Sequence, residues 1–116
     1  MLTMELNVRR VTEVTDSLTE AFAWLMPQLS PRLAAPSAER LQAVAGSSSA
    51  ALFTAEAGGT VVGVLTLVWY DVPSGRKAWI EDVVVDAAVR GVGAGEALVR
   101  AALGHAAAVG AGKVML

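Results

Sequence analysis

The stretch Trp79-Ile-Glu-Asp-Val-Val-Val-Asp-Ala-Ala-Val-Arg-Gly-Val-Gly-Ala-Gly-Glu-Ala-Leu98 decides the reading of this chain. It joins a β-rich run, a glycine-rich loop and the start of an apolar-striped helix. Gly91, Gly93 and Gly95 lack a Cβ, so their backbone amides can lie close against a ligand. The following helix brings unpaired N–H groups and the positive end of its dipole. Strand, loop and helix N-terminus together make an anion site suited to a pyrophosphate. Arg90 adds a positive charge at its mouth. A phosphate-binding P-loop would need Gly-Lys-Ser/Thr, but Gly95 is followed by Glu96. A dinucleotide fingerprint needs G-x-G-x-x-G and an acidic residue about 20 positions on. Here the glycines are spaced G-x-G-x-G, and the chain ends too soon for that acid.

Outward from this segment, the pattern reads as eight elements. Leu6 and Val8 alternate with polar neighbours over 5–11, a first half-buried strand. Thr15 or Asp16 caps a helix whose Leu18, Phe22, Leu25 and Leu29 share one face, and Pro27 and Pro31 kink or end it. Ser37 caps a second helix that buries Leu41, Val44 and Ala45, and Gly46–Ser49 closes it. Ala50–Ala57 and Thr60–Tyr70 flank Gly58-Gly59, a hairpin with a primed turn. Gly63 marks a bulge or a close backbone approach. Asp71–Gly75 is a turn, and Lys77–Asp86 is a fourth strand. Glu96–Val109 is a helix with Leu98, Ala101, Ala102, His105 and Val109 on its stripe. Lys113–Leu116 opens another strand. The order is βααβββαβ, an α/β chain of the α+β type. Trp24, Trp69 and Trp79 read as core or pocket wall, and His105 as a packed, hydrogen-bonded histidine.

Composition narrows the function. The 116 residues fit one domain, 1–116, with 54% apolar and 17% charged side chains and a formal charge of −2. Residues 1–58 carry 4 basic and 6 acidic groups, and 59–116 carry 5 and 5. No cationic footprint for nucleic acid appears. There is no cysteine and one histidine, which removes thiolate chemistry and argues against a metal site. No apolar run reaches the ~18 residues of a membrane span. The N-terminus lacks a signal-peptide pattern, so the expected location is cytoplasmic.

The segment resembles motif A of the GNAT superfamily of N-acetyltransferases, whose pattern Arg/Gln-x-x-Gly-x-Gly/Ala is met by Arg90-Gly91-Val92-Gly93-Ala94-Gly95. The element order resembles the family's N-terminal two-thirds, a mixed, largely antiparallel sheet flanked by helices. The resemblance implies acetyl-CoA as co-substrate, with no metal. Its pyrophosphate would lie on the amides of Gly91, Val92, Gly93, Ala94, Gly95 and Glu96, and its pantetheine arm along the backbone of Val83, Val84 and Val85. The implied reaction moves an acetyl group to a primary amine of a small molecule or protein. That amine must lose a proton, which calls for a general base. Strand parity puts Trp79, Glu81, Val83 and Val85 on one face, and Ile80, Asp82 and Val84 on the other. The resemblance makes Glu81 the preferred base, since family members often carry a carboxylate on that part of this strand. Glu81 and Asp82 also read as salt-bridge partners of Arg76, Lys77 or Arg100. An acid-lined acceptor site would favour polyamines or aminoglycosides, and the near-neutral chain shows none.

The family's last helix and strands, with the tyrosine that protonates the leaving thiolate, would follow residue 116, and Tyr70 is not that residue. The expectation is therefore a domain incomplete at its C-terminus or completed by a second copy through strand exchange. The rival reading is a non-catalytic module that binds acyl-CoA or is completed by a partner.

Overall fold

The computed structural model describes residues 5–89 and 91–116. The strands are β1 (Leu6–Arg10), β2 (Ala50–Ala57), β3 (Thr60–Val72), β4 (Gly75–Val85) and β5 (Lys113–Met115), and the helices are α1 (Asp16–Leu29), α2 (Ala38–Ala45) and α3 (Ala94–Ala108). They form one sheet in the order β1-β2-β3-β4-β5. The first four strands run antiparallel, and β5 is parallel to β4. Sequential antiparallel neighbours need only short turns, whereas a parallel neighbour needs a crossover, which α3 supplies.

The sheet has two covered faces. On one, Ala94, Leu98, Ala102 and Ala106 of α3 pack on Phe53, Ala55, Leu65, Leu67, Ala78 and Ile80. On the other, Leu18, Phe22 and Leu25 of α1 and Leu41 of α2 pack on Leu52, Val64 and Val84. The expected stripe of α1 holds for Leu18, Phe22 and Leu25, but Leu29 is exposed, because α1 ends there and turns off the sheet at Ser30. Trp24 is exposed and, of the two expected places, takes the wall of an open cavity with Arg9, Glu20 and Val61. Pro27 sits within the last turn of α1.

Both glycines of the β2–β3 turn have positive φ, Gly58 at 59° and Gly59 at 81°, as a primed turn requires. Gly63 answers to a close approach. A Cβ there would meet Leu98 Cδ1 at 3.1 Å and Val85 Cγ2 at 3.3 Å. The neighbouring Val62 is an extra residue, since Ala55 pairs Gly63 while Glu56 pairs Val61. The β3–β4 hairpin is longer than expected: Asp71 pairs Arg76 and Val72 pairs Gly75, leaving only Pro73-Ser74 as the turn. Arg76 pairs with Asp71 through two contacts of 2.7 and 3.0 Å, and the hydrogen bond and charge of that guanidinium hold the Asp71 carboxyl below its usual range. Arg76 Nη1 also donates to the Val109 carbonyl at the end of α3, 2.7 Å. Its carbonyl accepts from Gly112 N, 3.0 Å. These bonds satisfy a helix-end carbonyl and lead the chain into β5 beside β4.

Candidate functional site

The segment 79–98 splits into three structural parts. The first is the outer edge of β4. Its pairing with β5 runs only over Lys77–Lys113, Ala78–Val114 and Trp79–Met115. From Ile80 to Val85, β4 has a strand partner on its β3 side alone among the described residues.

Within that edge lies a bulge. Glu81 pairs Thr66 and Val84 pairs Val64, so Asp82 and Val83 together oppose Leu65. Asp82 has φ 49°, a left-handed conformation that Asp tolerates better than branched residues do. The extra residue resets the alternation. Ala78 and Ile80, and after the bulge Val83 and Val85, pack toward α3. Val84 packs toward α1 and α2. Strict parity, which puts Glu81 on the face of Val83 and Val85, is thereby corrected: Glu81 stands with Thr66 and Val84 on the face toward α1. The signal in the sequence was the consecutive pair Glu81-Asp82, which no half-buried alternating strand accommodates.

The second part is the turn after β4. Asp86 N donates to the Val62 carbonyl, 2.8 Å, and Ala87–Val89 form a single 3-10 turn. Gln28 of α1 straps this turn: its Oε1 accepts from Ala87 N at 2.9 Å, and its Nε2 lies 3.4 Å from Asp86 Oδ1. No sequence pattern marked Gln28, because its partner lies 59 residues away. Arg90, expected at the mouth of the loop, lies outside the described residues.

The third part is the glycine loop and the start of α3. Gly91 and Gly93 have φ of 93° and 85°, a region closed to most side chains. A Cβ at either would meet nothing within 4 Å, so it is backbone conformation and not packing that calls for glycine there. Gly93 is the N-cap, and α3 starts at Ala94 rather than at Glu96 as expected. Its first intrahelical bond is Ala97 N to Gly93 O, 3.0 Å. The N–H groups of Ala94, Gly95 and Glu96 precede it and have no partner among the described residues. Thr15 Oγ1 caps α1 through Leu18 N, and Ser37 Oγ caps α2 through Arg40 N, but no side chain caps α3. Val92 is exposed and Ala94 is buried. Glu96 turns back along the helix to Arg100, 2.8 Å.

Among the described residues, Glu81 and Asp82 take part in no ion pair. Arg76 pairs with Asp71 and Arg100 with Glu96, so neither serves Glu81 or Asp82 as the sequence reading allowed. Both are exposed. His105 is packed as expected, its ring 5.8 Å from Phe53 and 5.4 Å from Trp69. Burial first, and the Arg10 charge second, lower its pKa. No side-chain hydrogen bond of His105 appears among the described residues.

The family model of the GNAT acetyltransferases matches residues 14–116. The chain belongs to the GNAT acetyltransferase family. GNAT members also share its fold among solved structures. Glucosamine-6-phosphate N-acetyltransferase from Arabidopsis thaliana superposes with a TM-score of 0.82 at 21% identity, covering 97% of this chain and 82% of that one. An aminoglycoside acetyltransferase from an uncultured soil metagenomic sample, in complex with sisomicin, gives 0.78 at 21%, covering 96% and 76%. A Trypanosoma brucei acetyltransferase gives 0.74 at 26%, covering 97% and 82%. No curated protein matches in sequence. The expected α+β architecture with a mixed, mostly antiparallel sheet is the one observed. Among the described residues, no helix is long and apolar enough to cross a membrane.

Proposed function

We propose that this GNAT domain transfers an acetyl group from acetyl-CoA to a primary amine. The observation that carries the reading is the uncapped N-terminus of α3, entered from β4 through Gly91 and Gly93 at positive φ. The residues fit the co-substrate's chemistry. The N–H groups of Gly91 to Glu96 offer donors and a dipole end to a pyrophosphate. Backbone groups of Val83, Val84 and Val85 offer strand-like pairing to the amides of a pantetheine arm. Arg90 contributes a charge from its place in the sequence. Bound acetyl-CoA supplies an activated acetyl thioester.

The chain's own residues do the rest. The N–H of Val83, beside the bulge, serves as donor to the thioester carbonyl oxygen. A carboxylate oxygen of Glu81 takes the proton of the acceptor ammonium, directly or through one water. A cytoplasmic location and pairing of two copies go with this reading as expectations, the second testable by sedimentation.

The test is thermal unfolding with and without acetyl-CoA, with NAD as control. At ~100 times its dissociation constant, a ligand adds about 2.7 kcal/mol, a rise of several degrees for a domain this size. A rise with acetyl-CoA alone, lost in Arg90→Glu, supports the site; no rise at millimolar acetyl-CoA sinks it. In Glu81→Gln the rise should persist while turnover falls about 10²- to 10⁴-fold. Binding without turnover toward any amine would instead favour the non-catalytic module.

A further inference from the structure

The sheet face that carries Glu81 continues toward the β3–β4 hairpin as an ordered series of groups. Cross-strand partners stand on the same face. The register therefore sets out three rows: Thr66 with Glu81, then Val68 with Trp79 and Met115, then Tyr70 with Lys77 and Lys113. Lys77 and Lys113 are the only lysines in the chain, and they lie side by side across β4 and β5. Trp79 Nε1 donates to Tyr70 Oη at 3.0 Å, which ties into one ledge Trp79, between Lys77 and Glu81 on β4, and Tyr70, beside Lys77 on β3. Tyr70, Glu81 and Lys113 are exposed, and Trp79 and Lys77 are half-buried.

The charges in these rows are uncompensated. Among the described residues, none of Glu81, Lys77 and Lys113 takes part in an ion pair. The neighbouring Asp71 and Arg76 alternate to the opposite face, where Arg76 reaches the end of α3. Like charges directly opposite on adjacent strands are destabilising. An anion bridging Lys77 and Lys113 removes that repulsion. Glu81 stands four positions after Lys77, about 13 Å of strand, and the lysine stem spans part of that gap.

We infer that the acceptor is an amine that also carries an anionic group, a carboxylate or a phosphate, with a flat or apolar body between the two. The ammonium lies at Glu81, the body on the Trp79–Tyr70 ledge, and the anion at Lys77 and Lys113. This rests on the acetyl-transfer reading above. The same lysines repel polycationic amines, so the face discriminates by repulsion as well as by attraction.

The experiment is equilibrium titration of four amines into the protein saturated with CoA. The probes are 4-(aminomethyl)benzoate, its methyl ester, 4-(aminomethyl)phenyl phosphate and spermidine. The two anionic amines should bind about tenfold or more tighter than the ester, and spermidine weakest. The ranking between carboxylate and phosphate identifies the anion. In Lys77→Gln/Lys113→Gln the preference over the ester should vanish while the thermal shift with acetyl-CoA stays. In Lys113→Glu it should reverse toward spermidine. Equal binding of acid and ester, or a preference untouched by the double substitution, overturns the inference alone. Absence of any acetyl-CoA shift in the unsubstituted protein overturns the acetyl-transfer reading and this one with it.

Discussion

The two halves of this molecule solve the same local problems in opposite ways. Around β1–β3, every helix start is closed: Thr15 caps α1 and Ser37 caps α2. Each strand from β2 to β3 is paired on both sides. At the start of α3 the chain leaves the same groups open: among the described residues, no side chain caps that helix. A cap hydroxyl occupies the donors that an anion would use, so a helix end cannot be both sealed and ligand-ready. Glycine at 91 and 93 builds the open end by setting the backbone without supplying a competing oxygen.

The largest break in this contrast comes from giving α3 an acid at its cap position. Gly93→Asp keeps a residue that tolerates positive φ, and a carboxylate suits a helix N-terminus. The protein should therefore fold with a midpoint close to that of the parent. Acetyl-CoA affinity should fall about 100-fold, equivalent to ~2.7 kcal/mol, measured by titration. Retained affinity would mean that the open helix end is only a turn.

Next in size is Asp82→Val, which places a β-branched residue at φ 49°. A cost of about 1–3 kcal/mol is expected in urea unfolding, and Asp82→Gly should cost nothing or stabilise. If Val were tolerated as well as Gly, the bulge would not need its left-handed residue.

Thr15→Ala tests the closed half. It should cost about 1 kcal/mol of stability and leave acetyl-CoA affinity unchanged, the reverse of the Gly93→Asp pattern. The smallest effect belongs to His105. Burial lowers its pKa below the usual 6.5, so in the folded state it stays neutral where the unfolded chain takes up a proton. Its stabilising contribution is complete above about pH 6.5 and is lost as pH falls through the folded value. His105→Phe should flatten that slope in unfolding curves recorded between pH 5 and 8.

Much of this was legible beforehand. Caps, primed turn, element order and glycine loop are local matters, set by neighbours a few residues apart. Thr15 and Ser37 cap as their residue types predict, and Gly58-Gly59 turns as its dihedral freedom allows. The misplaced features were non-local. Leu29 fits the helical stripe of α1 but overruns the sheet, because a stripe carries no record of where its partner ends. Trp24 is large and apolar, yet it lies off the buried face of α1 and is exposed.

The sequence by itself determined the order βααβββαβ and the open glycine entry to α3, because alternation, capping and φ preference act along the chain. Only the tertiary structure decided which face Glu81 occupies, since a bulge is a relation between the registers of two strands. It alone brought Gln28 to the Ala87 amide. It alone set Lys77 beside Lys113, two residues that the α3 crossover joins across 36 positions of chain.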